Sequence, residues 1–285
     1  MNSKIGIVTD SASDVPAEVA DRFGLEVVPL SIRFGDEELA DREELTTAEF
    51  WARCAAAPEL PSTAAPAPGR FEQSYRRLAE QGAGNIVAIT LSGALSATFQ
   101  SAELAAKSVA ADGINVKVVD SRTISAGQTT LVIAAAEAAA ARTGSEEDLA
   151  SVAAAIEALV PRTRMFGALD TLDNLKKGGR IGGAKALLAT ALSIKPIVAV
   201  RDGVVEQYGK QRTRSKALRF LADRAAEHAG RMDHFAVMHG DCSDVDEFVD
   251  MVRSYVDGEI VVGQLGPVIG THTGRGTIGV AFQER

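Results

Sequence analysis

NIVAITLSGALSATFQSAELAAKSVAADGINVKVVDS, residues 85–121, is the stretch on which the fold turns. NIVAITL (85–91) is an unbroken apolar run, residues 95–111 carry a helical pattern, and VKVVDS (116–121) is a second strand. Strand, helix and strand in that order make a crossover, the connection that parallel strands require. An apolar run without alternation belongs to a strand covered on both faces. The segment therefore predicts a parallel sheet clothed by helices.

The neighbouring sequence extends this unit. KIGIVT (4–9) is another apolar strand, ending at Asp10 and Ser11, and Pro16 opens a helix that runs to Phe23 with Gly24 as its C-cap. LEVVPLSIRF (25–34) is expected to be one further strand. Thr46 and Glu49 fit a capping box at a helix start. The proline-rich stretch PELPSTAAPAPG (58–69) is expected to lack regular structure. Helices follow over 70–81, 126–142 and 146–160. In such sheets ligands sit outside the carboxyl ends of the strands. Here those ends are Thr9-Asp10-Ser11, Thr90-Leu91-Ser92 and Asp120-Ser121.

The pattern changes near Pro161. RTRMFGALD (162–170) is strand-like, short helices are expected at 171–177 and 184–193, and Asp202-Gly203 marks a hairpin between KPIVAV and VVEQYGK. A helix (214–229), the strand HFAVMHG, a helix (243–256) and the strand EIVVGQL precede a glycine-rich tail. The expected class is α/β, with two domains. Residues 1–160 form an N-terminal parallel sheet with flanking helices, and 161–285 form a C-terminal mixed α+β domain.

Composition narrows the function. The 285 residues are 46% hydrophobic and only 5% aromatic, so the core is aliphatic. A net charge of −8 opposes a nucleic-acid surface, which needs a basic footprint. No apolar run approaches the roughly eighteen residues of a membrane helix. Cys54 and Cys242 lie far apart, which fits two reduced thiols and a cytoplasmic location.

Several motifs carry possible chemistry. His272 stands between Thr271 and Thr273 among five nearby glycines, as if to meet a small polar group. Gly274-Arg-Gly-Thr-Ile-Gly279 spells GxGxxG, but a dinucleotide site needs a helix next, and the remaining residues read as a strand. Tight turns are the plainer reading. GGRIGG (178–183) is followed by Lys185, one position too late for a phosphate loop and with no hydroxyl after it, leaving either a junction or an exposed Arg180 facing an anion. His239-Gly-Asp-Cys242 has no second cluster to complete a metal site. Ser92, Ser96 and Thr98 offer more hydroxyls than one helix cap requires. An enzymatic alternative, a hydrolase or acyltransferase, would pair Ser96 or Ser92 with His272.

Taken together, IGIVTDSASDVP (5–16), LPSTAAPAPGRF (60–71), LSGALSATFQSA (91–102), VVDSRTISAGQ (118–128), LDNLKKGGRIGG (172–183) and GTHTGRGTIGV (270–280) resemble the DegV family. These are bacterial fatty-acid-binding proteins that serve fatty acid kinase. The resemblance spans the chain. It implies two α/β domains clasping a long acyl chain, with no cofactor besides that ligand. Its carboxylate would be held by Thr63, Ser96 and His272, with Ser62, Ser92 and Thr273 as additional candidates. Arg180 and Arg212 match segments implied in kinase docking or phosphoryl placement. On this resemblance the chain is a carrier, and a partner kinase phosphorylates the acid to an acyl phosphate. A general lipid sensor is a third reading. The sequence departs from the family pattern at Ala64 and Ala65, at Ala97 and Phe99, and at Arg275.

Overall fold

The chain is described by a computed structural model over residues 4–57, 59–189 and 194–285. The first half runs β1 (Ile5–Asp10), α1 (Ala17–Phe23), β2 (Glu26–Val28), β3 (Ser31–Phe34), β4 (Glu37–Ala40), α2 (Thr47–Ala56) and β5 (Ser62–Ala64). It continues α3 (Pro68–Glu80), β6 (Asn85–Thr90), α4 (Thr98–Val109), β7 (Asn115–Asp120), α5 (Ser125–Ala140) and α6 (Glu146–Leu159). The second half runs β8 (Thr163–Ala168), α7 (Asp173–Lys177), β9 (Lys195–Arg201), β10 (Val204–Gln211) and α8 (Arg214–Glu227). It ends β11 (Met232–His239), α9 (Val245–Arg253), β12 (Ile260–Gln264), α10 (Pro267–Thr273) and β13 (Ile278–Glu284).

Strands order β2-β1-β6-β7 in a wholly parallel sheet and β10-β9-β8-β13-β11-β12 in a mixed sheet. Within the mixed sheet only β11 and β12 pair in parallel. The chain is thus a mixed α/β protein, and the two sheets divide at the α6–β8 connection. Helices α3 and α4 cover one face of the parallel sheet, and α5 and α6 the other. Helices α8 and α9 cover the outer face of the mixed sheet.

Helix α5 lies between the sheets. It packs against β1 and β6 on one side and β8, β11 and β13 on the other. Its sequence, SAGQTTLVIAAAEAAA, is small or apolar apart from the hydrogen-bonded Gln128 and the exposed Glu137, and most of its side chains are buried. A helix without a polar face has to be enclosed. The alanines let both sheets approach it closely, and their interior faces share one apolar cluster with Leu30, Ile133, Met165 and Ile269.

Four expectations need correcting. LEVVPLSIRF is two strands, because Pro29 and Leu30 turn the chain out of the parallel sheet and Ser11 Oγ receives the Leu30 N–H there at 3.1 Å. The proline-rich stretch is not wholly irregular. Ser62–Ala64 forms β5, paired with β3 so that Thr63 opposes Ile32. Pro61 and Pro66 flank these residues and do not interrupt them, and β5 is an edge strand, where proline neighbours are tolerated. Thr98 starts α4 behind an Ala97 N-cap, so no serine performs the ordinary capping role. The expected helix at 184–193 is a 3₁₀ helix over Gly182–Ala189, and residues 190–193 lie outside the described part of the chain. Among the described residues no helix is long and apolar enough to cross a membrane.

Candidate functional site

The polar strand ends of the parallel sheet are occupied by the protein itself. Thr9, Asp10 and Ser11 are buried, and Asp10 accepts hydrogen bonds from Leu91 N, Ala12 N and Gln128 Nε2 at 2.8, 3.0 and 3.1 Å. Asp14 accepts from Ser125 Oγ at 2.5 Å and from Gly266 N at 2.8 Å, tying β1's following turn to the start of both α5 and α10. Burial raises the carboxyls of Asp10 and Asp14 to about 7 and that of Asp41 to about 6, because a charged carboxylate is poorly solvated there. These strand ends are a structural network behind the site.

The open space lies between the sheets. A cavity of about 220 Å³ is walled chiefly by aliphatic side chains, among them Leu30, Leu91, Leu169, Val198 and Ile269. Thr63, Ser96, Arg180, His272 and Thr273 also line it. Edge strand β5 supplies Thr63, the loop before α4 supplies Ser96, and the last turn of α10 supplies His272. The segment around His272 is therefore helical, and only after it comes β13, the strand expected from the sequence.

His272 Nε2 lies 2.9 Å from Thr63 Oγ1, so two elements distant in sequence meet at one polar point. Nδ1 is buried and has no hydrogen-bond partner. It rests against Gly178, where an added Cβ would fall 2.2 Å from Nδ1. Only glycine permits that approach. Gly178 follows α7, which is anchored to α10 by Asn174 Nδ2 donating to Thr271 O at 3.0 Å. Burial, and then the nearby positive charge of Arg180, lowers the imidazole to about 4, so it is neutral at pH 7. The flanking threonines do not extend this polar point. Thr271 and Thr273 return their hydroxyls to Pro267 O and Ile269 O within α10.

The other sequence candidates separate cleanly. Ser96 faces the cavity with its hydroxyl 2.9 Å from that of Thr98. Ser92 is fully buried outside the cavity and donates to Gly203 O at 2.7 Å, joining the loop after β6 to the β9–β10 hairpin. Ser62 is exposed and lines an outer cleft of about 530 Å³, together with Glu59, Lys177 and Arg180. That cleft and the cavity share Thr63, Arg180 and His272 as a common wall. Arg180 is only partly exposed. Its guanidinium donates to Leu95 O at 3.3 Å and Gly178 O at 2.8 Å, which holds it beside His272. Arg212 is exposed after β10 and borders neither space.

The departures from the family pattern also find places. Ala64, Ala65 and Ala97 line the cavity, where their methyl groups make its wall more apolar. Arg275 pairs with Asp241 at 2.7 Å and lies over the Trp51 ring at 5.9 Å, which fastens the turn after α10 to α2. Among the described residues no group of three or more His, Cys, Asp and Glu side chains could hold a metal. His239 Nδ1 accepts from Cys242 N at 3.2 Å. Cys54 is half-buried, and burial pushes its thiol to about 11.

Sequence reasoning did not single out Gly178 as the seat of the imidazole, nor Gly167 and Gly279 within strands. The available signal was positional, since glycine inside a strand marks a close approach.

A family model described as "Uncharacterised protein, DegV family" matches residues 4–285. A DegV domain-containing protein of Streptomyces coelicolor is 37% identical over 289 residues, covering 100% of each chain. The fold is similar to a DegV family protein from Thermus thermophilus described by its fatty acid binding. The two are 35% identical with a TM-score of 0.87, over 99% of this chain and 100% of that one. It is also similar to a stearic-acid-binding protein from Eubacterium ventriosum, 27% identical with a TM-score of 0.88 over 98% of both chains. Full-length matches of this identity, on the same two-sheet fold, establish that the chain belongs to the DegV family.

Proposed function

We propose that this protein binds a long-chain fatty acid, with the tail in the apolar cavity and the carboxylate at Thr63, Ser96 and His272. The observation that carries the proposal is the cavity itself, an aliphatic space ending on the Thr63–His272 hydrogen bond. About sixteen methylene-sized groups leaving water at roughly 0.8 kcal/mol each contribute over 10 kcal/mol gross. The carboxylate needs donors, since a buried charge without them is costly. If Nε2–H donates to Thr63 Oγ1, the threonine proton is free for the carboxylate. A neutral imidazole adds no fixed positive charge at that point. The fatty-acid binding described for the Thermus and Eubacterium proteins supports the same ligand class. Residues 1–160 and 161–285 are then two domains that hold the acid between them.

On this reading the chain is a carrier located in the cytoplasm, and a separate kinase supplies the chemistry. A carboxylate oxygen attacks the terminal phosphorus of ATP, ADP leaves, and an acyl phosphate results. The outer cleft, edged by Lys177 and Arg180, adjoins Thr63 and His272 and offers positive charge for the transferred phosphoryl group. Arg212, exposed elsewhere, is proposed as a docking contact for that kinase.

The hydrolase alternative has less support. Ser92 gives its hydroxyl to Gly203, Ser96 pairs with Thr98, and His272 pairs with Thr63, whereas a serine nucleophile needs its base in hydrogen-bond reach.

The deciding experiment is mass spectrometry of an organic extract of the purified protein. A stoichiometric free fatty acid is expected. Protein that yields none, and takes up none when long-chain acids are added, would overturn the proposal.

A further inference from the structure

A second space adjoins the cavity on another side. A groove of about 720 Å³ is lined by Arg122, Glu157, Arg164 and Arg201, with an apolar floor of Met165, Phe166, Ala199 and Val200. Those four floor residues also line the cavity. The outer cleft beyond His272 shares no lining residue with this groove. The cavity therefore has two thin walls. One is polar, at Thr63, Arg180 and His272. The other is apolar, on β8 and β9.

Within the apolar wall Met165 is placed to close the gap. It is 7% exposed and belongs to the apolar cluster between the sheets. On β13, the next strand, Ala281 opposes Met165 and Gly279 opposes Gly167. Both glycines line the cavity, so two neighbouring positions in its wall carry no side chain. The methionine tail occupies part of that room, since a Cβ built on Gly279 would meet Met165 Cε at 3.0 Å. Gly279, the last glycine of the GxGxxG spelling, thus makes space for a thioether, a flexible side chain suited to filling an irregular gap. Beyond Met165 the space is bordered by arginines and carboxylates, which an alkyl chain would not favour.

We propose that Met165 is the stop that sets acyl chain length, the tail lying over the Gly167–Gly279 pair and ending against the thioether. This rests on the fatty-acid reading. Up to the stop, each added methylene tightens binding about fourfold. Past it, the chain must displace Met165 or enter the charged groove, and affinity no longer rises.

The test is direct titration of saturated acids of increasing length into the full chain and into Met165→Ala and Met165→Leu. Met165→Ala removes three side-chain atoms, so its break should move to acids about three carbons longer. Met165→Leu, which largely keeps volume and should fold, is expected to shift the break by about one carbon or fewer while retaining the affinity for shorter acids. Thermal unfolding confirms that each variant is folded. If Met165→Ala does not fold, the leucine series and Met165→Phe, whose break should move to shorter acids, decide the matter. A break at one chain length in every folded variant overturns the role of Met165 and leaves the fatty-acid reading standing. Failure of the unaltered protein to bind an acid of any length overturns both.

Discussion

Thr63 and His272 stand 209 positions apart in the chain, yet their side chains meet at 2.9 Å. One is on an edge strand in a proline-rich stretch and the other on a seven-residue helix near the C-terminus. Their meeting requires the three-stranded antiparallel sheet, which registers Thr63 against Ile32, and the packing of α10 against β3, β5 and α2. The site is therefore a measure of whether the two halves of the molecule are correctly assembled.

His272→Ala and Ser96→Ala should each weaken fatty-acid binding. Ser96→Ala removes a hydrogen bond to the charged group, about 1.5–3 kcal/mol or about 10- to 150-fold in affinity, whereas His272→Ala removes the ring that orients the Thr63 hydroxyl toward the acid. Calorimetric titration with a long-chain acid measures it directly. Unchanged affinity in both variants rejects the carboxylate clamp.

Gly178→Ala should mimic the loss of the histidine without touching it. The backbone at Gly178 has φ −75°, which alanine accepts, so the consequence is steric. The new methyl would lie 2.2 Å from Nδ1 and must push the imidazole away from Thr63. Binding is expected to fall toward that of His272→Ala, with the protein still folded by circular dichroism. Full affinity in Gly178→Ala would show that the ring position is not constrained there.

Ser92→Ala should separate structure from ligand binding. It strands the Gly203 carbonyl in a buried place, at a cost of about 1–3 kcal/mol. Chemical denaturation should register that loss, while acid affinity changes far less than in Ser96→Ala. A variant as stable as the parent but deficient in binding would reverse these roles.

Stability should fall as pH rises from 6.5 to 8. Asp10 and Asp14 have folded-state values near 7, raised by burial from 3.8, so the folded state holds protons that the unfolded state has already lost. Ionising them in the folded state costs about 1 kcal/mol per carboxyl over this window. His272 acts in the opposite sense, but at lower pH. Its folded value is lowered to about 4, so its contribution is present above 6.5 and is lost as pH falls toward 4. Asp14→Asn keeps the oxygen that accepts from Gly266 N and should reduce the fall. Denaturant melts at the two pH values decide it, and a protein equally stable or more stable at pH 8 contradicts the assignment.

Much of the architecture was legible in particular residues. The apolar runs at 5–9 and 85–90 announced buried parallel strands, Thr46 and Glu49 announced α2 by its capping box, and Asp202-Gly203 marked the β9–β10 hairpin. These are local signals, carried within a few residues. The proline-rich stretch misled for the same reason. Nothing within residues 58–69 indicates that Ser62–Ala64 will find β3 as a partner, because that pairing is made across about thirty residues of chain.

From local sequence alone come most helices and strands, the parallel sheet and the aliphatic interior, while the carboxylate residues follow from a resemblance. Tertiary structure decided which of those residues share a cavity. It turned Ser92 away to Gly203, set Ser96 inside, sent the hydroxyls of Thr271 and Thr273 back into their own helix, and pressed His272 onto Gly178. It also placed α5 between the sheets and Met165 over Gly279. The physical reason is range. Propensity, capping and hydrophobic periodicity act along a short span of chain, whereas burial, desolvation of an imidazole and the walls of a cavity exist only once distant segments have packed together.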